Sequence, residues 1–97
     1  MWYDNFMQEL KEWTRIFKGL ANLSRLRIIA TLSKEGELSV SEIAQKIHVT
    51  IKGTSKHLSI LADIDVLDRD GRAGHVYYSL NKKMSGVMRE VINRIKF

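Results

Sequence analysis

SVSEIAQKIHVTIKGTSKHLSIL, residues 39–61, reads as two short helices hinged on a turn. Ser39-Val40-Ser41-Glu42 is a capping box, with Ser39 at the N-cap and Glu42 three positions on, so that each side chain can accept the other's backbone N–H. Ile43, Ala44 and Ile47 follow as an apolar stripe, and this helix should end near His48. Thr50 can cap the next helix, which runs to about Ile64 and turns Ile51, Thr54, Leu58 and Leu61 inward. Lys52, Ser55, Lys56 and Ser59 recur at i, i+3, i+4 and i+7 on the opposite side. That face carries hydroxyls and amines and no long acid, which suits a polyanion, although a plain solvated helix face looks similar.

Beyond this pair the hydrophobic period changes. Val66-Leu67-Asp68-Arg69 and His75-Val76-Tyr77-Tyr78-Ser79-Leu80 are β-branched and aromatic, and Asp70-Gly71-Arg72-Ala73-Gly74 between them is a turn cluster. A β-hairpin with a basic tip is expected. Met84, Val87, Met88, Val91, Ile92 and Ile95 then mark a last helix from Asn81 to Phe97, with Asn81 as its cap. Upstream, Phe6, Met7, Leu10, Trp13, Phe17 and Leu20 mark a first helix of about four turns, with Asp4 as N-cap and Gly19 as end signal. Asn22 can cap a second, burying Leu23, Leu26, Ile29, Ala30 and Leu32 and stopped by a left-handed Gly36. The fold class expected is mainly α with a small β-hairpin wing, in the order α-α-α-α-β-β-α. One domain spans 1–97, with 39–64 as a helix-turn-helix, 66–80 as the wing, and 1–20 and 82–97 as dimerisation helices.

Composition narrows the function. The 97 residues carry 16 Lys+Arg against 11 Asp+Glu, a net charge of +5. Seven basic and six acidic residues lie up to Val49, and nine and five after it, so the excess sits in the half holding the basic helix face and the wing. Nucleic acid is the partner this favours. The absence of cysteine excludes disulfides, thiol chemistry and cysteine-ligated metal. His48, His57 and His75 are nine and eighteen residues apart, matching no local metal spacing. Without a phosphate-binding glycine loop or nucleophile elbow, an enzyme is not expected. No apolar run approaches the roughly 18 residues of a membrane span, and the N-terminus lacks the pattern of a signal peptide. A cytoplasmic location, no membrane and no cofactor are therefore expected.

Four segments together resemble a known family. Phe17-Lys18-Gly19-Leu20-Ala21-Asn22-Leu23-Ser24-Arg25-Leu26-Arg27-Ile28-Ile29 is similar to the F-K-A-L-A-N-P-T-R-L-R-I-L opening of ArsR/SmtB-type winged-helix repressors. Glu37-Leu38-Ser39-Val40-Ser41-Glu42-Ile43-Ala44 resembles the approach to their third helix, and Thr54-Ser55-Lys56-His57-Leu58-Ser59-Ile60-Leu61 their recognition helix. Gly71-Arg72 with Val76-Tyr77-Tyr78-Ser79-Leu80 resembles their wing, so the likeness covers about residues 16–80. Leu23 replaces a common proline, and His48 and Asp65 replace common turn glycines, which would place both in a left-handed conformation. Gly53 loosens the recognition helix, and Asp63, Asp65, Asp68 and Asp70 repel phosphate unless they point away or pair with Arg69 and Arg72.

The resemblance implies a homodimeric, sequence-specific DNA-binding transcriptional regulator, usually a repressor. Its double-stranded DNA contacts are then expected at Thr50, Lys52, Thr54, Ser55, Lys56, His57 and Ser59, with Arg69 and Arg72 in the wing. His57 matches the family's structural histidine. The dimer interface is expected at Phe6, Leu10, Trp13, Met84, Val87, Met88, Val91 and Ile95, because Trp2, Tyr3, Phe6, Met7, Leu10 and Trp13 offer more aromatic surface than so small a domain can bury. Metal-sensing relatives use third-helix or N-terminal cysteines, or carboxylate-histidine pairs on the last helix. Leu38-Ser39-Val40-Ser41 holds no cysteine, and the last helix has Glu90 as its one acidic side chain and no histidine, so no metal site is expected. The effector is unknown. A second reading stays open: winged helices also dock proteins, which would account for the aspartates around the wing.

Overall fold

The computed structural model describes residues 1–95. Its elements are α1 (Trp2–Leu20), α2 (Leu23–Glu35), β1 (Glu37–Ser39), α3 (Val40–Ile47), α4 (Ile51–Asp63), β2 (Leu67–Arg72), β3 (His75–Leu80) and α5 (Gly86–Ile95). Asn22, Ser39 and Thr50 cap their helices as expected: the side chains accept from the backbone N–H of Arg25, Glu42 and Gly53 at 3.1, 3.2 and 3.0 Å. Glu42 completes the capping box by accepting from the Ser39 N–H at 2.9 Å. Gly36 ends α2 at φ 89°, where side chains are rarely tolerated. His48 and Asp65 are left-handed, at φ 57° and 62°, each at a cost of about 1–2 kcal/mol relative to glycine.

Helix boundaries differ from expectation at both ends of the chain. α1 begins at Trp2, so Asp4 lies inside its first turn, where a carboxylate favours the helix dipole, and the helix continues through Gly19 to a cap at Ala21. The last helix starts at Gly86, with the Ser85 hydroxyl accepting from Met88 N–H at 3.2 Å. Asn81 is instead a clasp. Its Oδ1 accepts from Lys83 N–H at 2.8 Å, while its Nδ2 and backbone N–H donate to Asp65 O and Val66 O at 3.0 and 2.9 Å. The expected continuation to Phe97 lies outside the described residues.

Leu23 and Ile51 were expected inside and are exposed. Each is the first residue of its helix and overhangs the packed layer. Ile28 replaces Leu23 on the buried side of α2. The hairpin closes through Ala73 and Gly74, at φ 50° and 80°, the two positive values of a type I′ turn. β1 was not anticipated. It pairs antiparallel with β3, Leu38 opposite Tyr78, and makes a three-stranded sheet of order β1-β3-β2. Fully buried Ile28, Ile29, Leu32, Ile43, Ile47, Leu58, Leu61 and Val66 form the centre of the core, each contributing about 1.5–3 kcal/mol. α4 is thereby anchored by one face, with the sheet beside it.

Candidate nucleic-acid interface

The core fixes which side of α4 is free. Thr54, Leu58 and Leu61 are buried, which leaves Lys52, Lys56 and Ser59 exposed and Ser55 half-exposed on the outer side. Neither lysine makes an ion pair among the described residues. The turn that presents this helix is braced from behind by Arg27, whose guanidinium donates to Ile47 O at 3.0 Å. Thr50 is exposed, and its hydroxyl is engaged as the helix cap.

Two expected contact residues do not join this face. Thr54 is fully buried and its hydroxyl has no hydrogen-bond partner among the described residues, so it is corrected from a DNA contact to a core residue. It sits one turn before Leu58, in phase with the buried stripe. His57 lies half-buried on the flank, with Nδ1 3.1 Å from a terminal guanidinium nitrogen of Arg25. Burial, then the charges of Arg25 and Lys56, hold its imidazole below the usual histidine range.

In the wing, Arg69 is exposed and free of ion pairs among the described residues. Arg72 is not free. Its guanidinium pairs with Glu37 at 2.5 Å and Asp70 at 3.1 Å and lies 4.4 Å from the centroid of the Tyr77 ring. The bond to Glu37 raises its already high pKa. One of the four aspartates is thus paired as expected, with Arg72, but the arginine is bound in return. Glu37 escaped sequence reading because a three-residue strand has no period to detect. Arg25 was quoted only as part of the α2 motif, and nothing local marks its reach to His57, 32 residues away.

The other expected surface divides. Phe6 and Leu10 are exposed, Trp13 is half-buried, and Trp2–Phe6 and Trp13–Phe17 stack at 5.4 and 5.5 Å. Val87 is exposed as well. Met84 and Met88 are corrected: both are buried with Ile92 in the chain's own core, Met84 from the turn before the late-starting α5 and Met88 from the face that α5 lays against it. Val91 and Ile95 are half-buried against the same core. No group of three or more His, Asp or Glu side chains among the described residues is placed to hold a metal ion. Among the described residues no helix is long and apolar enough to cross a membrane.

Comparison with known proteins agrees with this architecture. A helix-turn-helix domain family matches residues 20–70. The arsenical resistance operon repressor of Bacillus subtilis is 30% identical over 82 residues, covering 84% of this chain and 78% of that protein. The crystal structure of NolR from Sinorhizobium fredii superposes with a TM-score of 0.79 at 25% identity, covering 94% of this chain and 87% of that one. A homodimeric winged helix-turn-helix DNA-binding domain from Mycobacterium bovis has the same fold, with a TM-score of 0.79 at 22% identity over 92% of this chain and 79% of that one. An anchored helix with an unpaired basic face, a hairpin wing and these relatives lead to one assignment: the chain belongs to the ArsR/SmtB family of winged helix-turn-helix transcriptional regulators, DNA-binding proteins that are not enzymes.

Proposed function

We propose that this regulator is a homodimeric repressor of an inverted-repeat operator, working without the family's cysteine metal site. The observation that carries the reading is the outer face of α4, where Lys52 and Lys56 stand exposed and unpaired among the described residues beside Ser55 and Ser59. In the major groove these groups reach base edges and phosphates, while Thr50 holds the first turn of the helix and Arg69 follows the backbone. Arg72 contacts phosphate only after leaving Glu37.

The dimer reading is supported by the aromatic face of α1, where Trp2, Phe6, Leu10 and Phe17 stay exposed on one chain and Val87 of α5 adds to them. Exposed apolar area of this kind is the usual mark of an interface. A two-fold dimer through α1 and α5 would space two recognition helices about one DNA turn apart, roughly 34–36 Å. The Mycobacterium bovis domain, described as homodimeric, and the Bacillus subtilis repressor lend the same direction. With no cysteine in the chain and no carboxylate–histidine pair on the last helix, zinc, cadmium, nickel and arsenite should not release the operator. Selecting bound genomic fragments, then competing the recovered operator against random duplex with wild type and Lys52→Ala, tests the reading. Loss of discrimination in the variant supports it; a wild type that prefers no sequence refutes it.

A further inference from the structure

Arg25, on α2, makes hydrogen bonds to both α1 and α4. Its Nε donates to Gly19 O at 2.5 Å and a terminal nitrogen to Lys18 O at 3.4 Å, both carbonyls in the last turn of α1. The other terminal nitrogen meets His57 Nδ1 on α4 at 3.1 Å, and its own backbone is held by Asn22. A guanidinium has no acceptor, so Nδ1 accepts and the ring proton stands on Nε2. The two bridged helices also meet nearby, where a Cβ on Gly19 would lie 2.8 Å from Ile64 Cδ1. One of them carries the aromatic dimer face and the other the basic DNA face.

We infer that Arg25 is a positioning residue, which by donating to His57 Nδ1 sets the recognition helix at a fixed angle to the dimerisation helix, so that both helices of a dimer meet the operator in register. The inference rests on the dimeric, operator-binding reading above. A bridge of this kind acts through geometry and not through charge on the DNA. It lasts only while His57 is neutral. Lys56 on α4 and Arg25 on α2 face the ring or lie beside it. From α1, Arg15 and Lys18 line the adjoining groove, where Asp63 of α4 is the carboxylate and Glu12 is paired with Arg15. Since the folded imidazole is held low, the bridge is intact at neutral pH and is lost as pH falls through that depressed value. Protonation then puts an N–H where Arg25 needs an acceptor.

The test uses four proteins: wild type, R25K, H57N and H57L. R25K keeps the charge and loses the fork; H57N offers an amide oxygen near the place of Nδ1 and does not titrate. Preference for operator over random duplex is measured at fixed salt from about pH 8 down through the range in which histidine ordinarily switches, to the lowest pH at which circular dichroism shows all four folded. R25K and H57L should lose about tenfold or more at the upper end, the scale of one charge-assisted hydrogen bond. H57N should stay close to wild type there and lack the wild type's decline at low pH. R25K matching wild type, or H57N sharing its pH profile, overturns the inference. Residual dipolar couplings on the free proteins report the α1–α4 angle without DNA. Should wild type prefer no operator, the DNA reading fails, and the couplings decide this claim alone: an angle that moves in R25K supports it, and an unmoved angle overturns it.

Discussion

The Arg72 guanidinium lies 2.5 Å from the Glu37 carboxylate, across the full width of the sheet from β2 to β1. Both groups are about half exposed, so the pair is one that a phosphate can contest. The basic wing tip expected from sequence is therefore an arginine already engaged by Glu37 and Asp70. On the proposed DNA-binding reading, Glu37 would compete with a phosphate for Arg72.

Glu37→Gln should accordingly strengthen binding to all duplexes, and the gain should vanish when Arg72→Ala is added. Arg72→Ala alone should lower the salt slope by less than the roughly one unit per protomer of an unopposed phosphate contact, and by about the full unit in the Glu37→Gln background. Anisotropy titrations over a range of salt measure all four proteins. Weaker binding by Glu37→Gln would show that the pair serves to stiffen the wing.

The capping box of α3 carries a pH signature. Bonds from the Ser39 backbone and then its hydroxyl hold the Glu42 carboxyl below the usual carboxylate range. A depressed folded pKa means that the stabilisation is present above the unfolded value and disappears as pH falls through the folded one. Urea unfolding should show Glu42→Gln less stable than wild type near neutrality, with the two converging in acid. Ser39→Ala should cost about 1 kcal/mol near neutrality. A gap that persists unchanged in acid would contradict this.

Gly19 lets α1 and α4 touch. Gly19→Ala places a methyl 2.8 Å from Ile64 Cδ1, a contact that must shift. Cδ1 is the free end of a flexible side chain and gives way at little cost, so the helix-propensity gain of roughly 1 kcal/mol should leave the variant at least as stable in denaturant. Ile64→Val removes the atom that must move, so the effect of the alanine should be nearly the same in that background. An alanine variant clearly less stable than wild type and rescued by Ile64→Val would show that Ile64 cannot give way.

The division within α5 predicts two kinds of failure. Leu10→Glu and Val87→Glu, on exposed positions, should leave a folded monomer with weakened operator binding. Met88→Glu buries a charge in the core and should unfold the chain instead. Sedimentation and circular dichroism separate these outcomes. A dimer that survives both exposed substitutions would place the interface elsewhere.

Ser39, Glu42, Asn22, Thr50 and Gly36 were legible because caps and stops act within one turn of the backbone, so a few adjacent residues contain the whole interaction. The left-handed His48 and Asp65 were legible only through the resemblance, as positions where the family commonly has glycine. The inward stripe Thr54, Leu58 and Leu61 followed from helical period, and with it the outward Lys52, Lys56 and Ser59. Period alone failed at Leu23 and Ile51, since a first helical residue shares the stripe's phase and still overhangs the layer it would pack on.

Tertiary structure alone decided what distant segments do to one another. The strand Glu37–Ser39 exists because β3 offers it an edge, and three residues have no hydrophobic alternation strong enough to announce it. Helical period puts Met84, Val87 and Met88 on one apolar stripe; Met84 in fact precedes α5, and only the docking of this segment on the core assigns both methionines to the inside and Val87 to the surface. The engagement of Arg72 by Glu37 and of His57 by Arg25 spans 35 and 32 residues. Sequence spells out the groups that meet there, but chain folding brings them within hydrogen-bond reach, and a bond's strength depends on that distance rather than on separation along the chain.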